Sequence, residues 1–182
     1  MQRRKFLFTS LALTPVAVMA NPWSLQVSEK NPFLVKAGKA RTEEKIMFKG
    51  IHPNDCKISG ADTDGALAMF EYTGLAKTGP SMHLHLAQDE IFYVVEGRYR
   101  FVVGGNTMEV TAGDTVFLPR NVAHTWVQLT DQGKMIYQVQ PAGNMEDFFR
   151  VMNGFKAPPT KEEVEKIHLE HGMKLIGPAL TT

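Results

Sequence analysis

Cys56 is the one cysteine in this chain. An intramolecular disulfide is therefore excluded, and the fold must hold without a cross-link even in an oxidising compartment. Net charge is almost missing as well. A formal +1 over 182 residues offers no basic surplus from which to argue nucleic-acid binding. The apolar run at 8–19 falls short of the about 20 residues a spanning helix needs. A phosphate loop is absent too. Gly104-Gly105-Asn106 has no helical segment after it and reads as a hairpin turn, outside any Walker pattern.

What remains is an ordinary globular composition, 43% hydrophobic and 21% charged, enough for one domain with a proper core. Residues 1–20 do not read as fold. Arg3, Arg4 and Lys5 precede the apolar run, and Val18-Met19-Ala20 has the small-residue character of a cleavage site. The paired arginines followed by Lys5-Phe6-Leu7 resemble a twin-arginine export signal, although Gln2 stands where Ser or Thr is usual. The expectation is an exported, periplasmic protein with no membrane attachment after cleavage. An ordinary secretory signal and an uncleaved anchor are the alternatives. Loss of Arg3, Arg4 and Lys5 takes the formal charge from +1 to −2. By resemblance, twin-arginine substrates cross folded. Such a protein can carry a metal chosen inside the cell rather than one dictated by affinity order outside it.

Residues 21–43 read as an entry segment with one short strand at 33–35 and a solvated basic loop around Lys36, Lys39 and Arg41. Short strands then follow at 46–51, 66–72, 81–86, 90–95, 98–103, 107–110, 115–118, 124–129 and 135–140. Turn residues such as Glu96-Gly97 and Ala112-Gly113-Asp114 separate them. This rhythm predicts an all-β sandwich or barrel. His52, within a Pro-Asn-Asp stretch, reads as an exposed turn residue. Beyond Pro141, Asn144 should cap a short helix with Met145, Phe148, Phe149 and Met152 on one face. Thr160 with Glu163 forms a capping box that opens a second helix ending at Gly172. Val164, Ile167, His168 and His171 share that helix's inner stripe. The two helices should cover a barrel end or support a homodimer contact. His168 and His171 with Glu165 have helical metal-binding spacing, but no partner helix supplies matching ligands. The favoured role for His171 is charge at a helix C-terminus.

The chemistry-bearing stretch is His83-Leu84-His85 with Glu90. Residues at i and i+2 of a strand point to one side. Glu90 opens the next strand after a short polar break, and His124 opens a later one. Three imidazoles and a carboxylate suit one divalent transition metal such as Fe, Mn, Ni, Cu or Zn. These residues resemble the motifs of the cupin family. The first motif is carried by Gly79, His83, His85, Glu90 and Gly97. The second is carried by Gly113, Pro119, Asn121 in the place of glycine, His124, and Gln128 in the place of asparagine. The resemblance implies a cupin jelly-roll β-barrel with two short C-terminal helices. The division is 1–20 export signal, 21–43 extension, 44–141 barrel and 142–182 helical extension. It also implies His83, His85, Glu90 and His124 as metal ligands, and similarity to quercetinase-like cupins implies Glu90 as the catalytic proton acceptor. A family member with the barrel but no metal is the competing reading.

Strand parity places Phe92 with Glu90, and Trp126 and Gln128 with His124. These three are the expected substrate-pocket residues, unless they are simply barrel core. Met82, Leu84, Thr125 and Val127 should face outward or towards a second sheet. The function these features imply is a metal-dependent oxygenase or dioxygenase on a small aromatic or enediol-type substrate. A non-redox metal-dependent isomerase and a non-catalytic small-ligand-binding barrel remain open.

Overall fold

Alternation of side chains along extended chain sorts most of this barrel into inside and outside. A computed structural model describes residues 31–182; the export signal read at 1–20 and the segment 21–30 lie outside the described residues. The strands are β1 Met47–Phe48, β2 His52–Ile58, β3 Ala68–Gly74, β4 Ser81–His85, β5 Asp89–Glu96, β6 Arg98–Val103, β7 Asn106–Thr111, β8 Thr115–Leu118, β9 His124–Gln128, β10 Gly133–Gln140 and β11 Met173–Ala179. Helices α1, Met145–Asn153, and α2, Lys161–Glu170, lie between β10 and β11. A six-stranded sheet runs β1-β2-β3-β10-β5-β8 and a five-stranded sheet runs β11-β4-β9-β6-β7. All pairings are antiparallel. This is the all-β architecture that the strand rhythm predicts, in the jelly-roll form that the resemblance implies. No helix among the described residues is long and apolar enough to cross a membrane.

The core lies between the inner faces. Ala68, Phe70 and Tyr72 of β3 are buried at every second position, as are Met135, Tyr137 and Val139 of β10. Tyr137 stacks between Phe70 and Phe92, with centroids 5.1 and 4.9 Å away. Each large apolar side chain fully removed from water contributes about 1.5–3 kcal/mol. The alternation fails in β9, where every residue is buried. Thr125 and Val127, expected to face outward or towards a second sheet, are covered. The 75–80 loop lies against them: Gln128 N donates to Thr78 O at 3.2 Å, and Thr125 Oγ1 donates to Pro80 O at 2.7 Å.

Four local expectations change. No strand forms at 33–35, where Leu34 is exposed and Phe33 lies under the Arg41 guanidinium. The strand expected at 46–51 turns after Phe48, because Lys49 and Gly50 take φ of 52° and 73°. His52 then opens β2 and is fully buried rather than exposed, its Nδ1 accepting from Leu75 N at 3.0 Å. A polar strand that buries His52 and Asn54 has no hydrophobic period to reveal it. Finally, the C-terminal extension is not only helical. α2 ends at Glu170, the chain turns at the left-handed Gly172, and β11 follows, pairing with β4 so that Met173 faces His85 and Leu175 faces His83. The Thr160–Glu163 capping box forms, whereas Asn144 makes no side-chain cap bond.

Gly79 explains the close fit of the 75–80 loop, since a Cβ there would overlap the Trp126 carbonyl oxygen. Backbone cannot yield as a flexible side chain can. Gly79→Ala should cost about 3 kcal/mol, the upper end of ordinary overpacking. Urea denaturation would measure it, and a loss below about 1 kcal/mol would mean the loop is not pressed against β9.

Candidate metal centre and its cavity

β4 and β9 are adjacent in one sheet, and His83 lies directly opposite His124 in their register. His85 follows on the same face of β4. Glu90 comes from β5 in the other sheet. The four side chains therefore meet where the two inner faces converge. Ring centroids are 4.6 Å apart for His83–His124, 5.3 Å for His83–His85 and 5.6 Å for His85–His124. One donor atom from each of His83, His85, Glu90 and His124 lies within 4.8 Å of the others. Donors about 2.1 Å from one ion sit about 3 Å apart when adjacent and about 4.2 Å apart when opposite, so the cluster is close to the size one ion requires.

The hydrogen bonds decide which nitrogen faces the centre. Each Nδ1 meets an oxygen: Ser81 O at 2.8 Å for His83, Gln88 Oε1 at 3.1 Å for His85, and Val122 O at 3.0 Å for His124. An oxygen acceptor holds the proton on Nδ1 and leaves a lone pair on Nε2. The Gln88 amide cannot turn round freely, because its Nε2 donates to Ala142 O at 2.9 Å. Buried Nε2 atoms of His85 and His124 have no hydrogen-bond partner, yet they stand 3.5 and 3.1 Å from Glu90 Oε2. Lone pairs facing a carboxylate repel unless something positive lies between them. The residues present thus fit a divalent metal ion.

Electrostatics agree. Burial pushes the His83 imidazole down to about 3, with His124 adding to the effect. Burial pushes the Glu90 carboxyl up, but the facing imidazoles of His85, His124 and His83 hold it down to about 2. These two donors are therefore in their ligating forms at neutral pH. The loop after β8 is tied beside them. Arg120 donates to Asp89 from its backbone and guanidinium, the shortest of these contacts at 2.8 Å, and Asn121 N donates to His85 O at 2.7 Å. Asn121 has φ of 62°, which explains how it stands where the motif has glycine: asparagine tolerates the left-handed region.

The cluster opens into a cavity of about 520 Å³. Phe92 and Trp126 are in its wall, as parity predicts, together with Phe48, Tyr137, Phe148 and His168. Trp126 stacks on Phe48 at 5.8 Å. Among the described residues, Glu90 is the only carboxylate in the wall. Gln128 is not in the wall. It is fully buried, donates to Thr130 O at 2.9 Å and accepts from Tyr72 Oη at 3.4 Å, so its amide is spent inside the barrel. Sequence reasoning did not single out Gln88, which orients His85. A glutamine in a short polar break carries no periodic signal. The His168, His171 and Glu165 trio does not converge. His168 and His171 give Nδ1 to their own helix carbonyls at 2.7 Å, while Glu165 pairs with Lys161. Burial lowers the His168 pKa. His171 sits at the α2 C-cap with Nε2 3.2 Å from Asp147 of α1.

His124→Ala should leave the barrel folded and weaken zinc binding by roughly a hundredfold or more, since a lost ligand exceeds the usual 10–100-fold cost of a lost orienting partner. Gln88→Ala should fall within that 10–100-fold range. Zinc titration of metal-free protein reads both, and unchanged stoichiometry and affinity in His124→Ala would exclude the four-donor site. The pH dependence has a definite sign. His83 lies below its ordinary 6.5 and Glu90 below its ordinary 4.5. In both cases the unfolded chain takes up protons that the folded state resists. Metal-free protein should therefore lose stability as pH falls below 6.5, and faster below 4.5. Thermal melts across this range test it, and a constant or rising Tm would contradict the assignment.

Comparison with known proteins places this geometry. Residues 71–139 match the family described as Cupin domain. An uncharacterised protein of Streptomyces coelicolor is 34% identical over 103 residues, which is 52% of this chain and 97% of that one. An RmlC-like cupin of Shewanella frigidimarina is 25% identical, covering 62% of this chain and 96% of that chain with a TM-score of 0.48. KdgF of a Halomonas species is 19% identical, covering 52% of this chain and 84% of that chain with a TM-score of 0.48.

Proposed function

The chain belongs to the cupin superfamily, and on that premise we propose that it is a metal-dependent oxygenase acting on a small aromatic or enediol-type substrate. One observation carries the reading: a buried three-histidine, one-carboxylate cluster opens into a cavity whose wall includes the aromatic rings of Phe48, Phe92, Trp126 and Phe148. A metal held by His83, His85, Glu90 and His124 would supply Lewis acidity and, if redox-active, single-electron chemistry.

The chain's own residues do the rest. Phe48 and Trp126 offer flat apolar surfaces to a planar ring. The apolar walls keep bulk water from the reacting oxygens and strengthen every charge interaction inside. Among the described residues Glu90 is the only wall carboxylate, and it is held ionised. It is the group that takes a proton from a substrate hydroxyl at a carboxylate oxygen. Ser81 lies in the wall but has no base beside it, so a covalent acyl route is not proposed. Export to the periplasm through residues 1–20 belongs to the same proposal.

The test begins with elemental analysis of exported protein purified without chelators or added metal. About one Fe, Mn, Ni or Cu per chain is expected. Oxygen uptake with aromatic diols or flavonols should accompany it, and Glu90→Gln should abolish that uptake. Zinc alone, or no metal, with no oxygen consumed by any of these compounds would overturn the oxygenase reading in favour of an isomerase or a binding module.

A further inference from the structure

The return of β11 beside β4 brings α2 over the metal centre and sets one further histidine in the cavity wall. His168 is 8% exposed. Its ring lies edge-on between Phe148, 4.9 Å away, and His83, 6.3 Å away. It is not in the group of donors that converge within 4.8 Å, so it stands beside the metal centre without belonging to it. Its Nδ1 lies 2.7 Å from Val164 O, and a carbonyl oxygen accepts only, so Nδ1 carries the proton and Nε2 the lone pair. Among the described residues no donor meets that Nε2. His171, one turn later with the same backbone anchor, instead has its Nε2 facing Asp147 at 3.2 Å. Of these two helix histidines, one holds the helices together and the other presents an unused acceptor to the cavity.

We propose that His168 is a substrate-positioning residue whose Nε2 accepts a hydrogen bond from a hydroxyl of the planar ligand bound at the metal centre. This rests on the small-molecule reading of that centre and adds a selection rule to it. A ligand with a hydroxyl at this place satisfies the lone pair, whereas an ether or carbonyl oxygen opposes it with another lone pair. A ligand that covers this acceptor without donating to it leaves it desolvated and unpaired, which costs free energy and is how a site rejects an analogue lacking the matching donor. The ligand class is therefore hydroxyl-bearing, such as an aromatic diol, with one oxygen at the metal centre and a neighbouring hydroxyl towards α2.

Catechol is the probe and azide the control, because azide reaches a metal but has no hydroxyl. Both are titrated under nitrogen against cobalt(II)-loaded wild type, His168→Phe and His168→Gln, following the cobalt spectrum. Glutamine places an amide oxygen near the position of Nε2, and phenylalanine keeps the ring without the acceptor. In His168→Phe catechol should bind about three- to tenfold more weakly. His168→Gln should restore most of that loss, and azide should bind all three alike. In wild type, catechol should also shift the side-chain nitrogen NMR signal of His168 Nε2 as it accepts the hydrogen bond. Unchanged catechol affinity in His168→Phe, a loss that His168→Gln does not restore, or an unmoved Nε2 signal would overturn the proposal, as would no catechol binding at all. If His168→Phe does not fold, the wild-type nitrogen signal and His168→Gln still decide. If the protein takes up no cobalt, the metal reading fails on its own account, and the Nε2 shift in metal-free protein decides the role of His168.

Discussion

Buried lone pairs facing a buried carboxylate are the constraint on which the middle of this barrel depends. The Nε2 atoms of His85 and His124 and Glu90 Oε2 meet at 3.5 and 3.1 Å, and the Nδ1 protons are already committed to Ser81, Gln88 and Val122. The arrangement suits a cation between the two sheets. A barrel made only to bury apolar surface would have no reason to keep such a cluster, because burying polar groups without partners is costly.

The surroundings hold that cluster in place. Gln88 is clamped by Ala142 and orients His85. The loop between β8 and β9 is anchored by Arg120 on Asp89 and by Asn121 on the His85 carbonyl. Gly79 lets the 75–80 loop lie flat on β9, the strand that carries His124. Side chains fixed in this way lose little freedom when a ligand or ion arrives, which is the condition for a preorganised site.

The cavity divides its tasks by residue type. Aromatic rings contribute much of the wall, and among the described residues Glu90 is its only carboxylate. The two helices and β11 form the wall opposite the barrel interior. In this arrangement the C-terminal segment is part of the site rather than an appendage, since β11 pairs along the very strand that carries His83 and His85. The helix that precedes β11 then has only its short left-handed turn at Gly172 in which to reverse, so His168 is carried to the candidate metal centre.

Much of this was written along the chain. The two histidines of β4, the glutamate opening β5 and the histidine opening β9 converge because strand parity and turn positions leave them one face to share. Phe92 and Trp126 reach the cavity by the same parity. Gln128 has that parity too but lies where the barrel closes, and how deep a residue sits along a strand depends on which strands flank it. His52 and Asn54 are buried in β2 by neighbours distant in sequence, with no apolar period to announce them. β11 is a strand because β4 offers an unpaired edge, and Pro178 is tolerated on that edge because it faces no further strand. The sequence by itself determined which donors share a face, since a two-residue repeat is a local property of the backbone. Only the tertiary structure decided what covers that face, because covering is a matter of long-range contact.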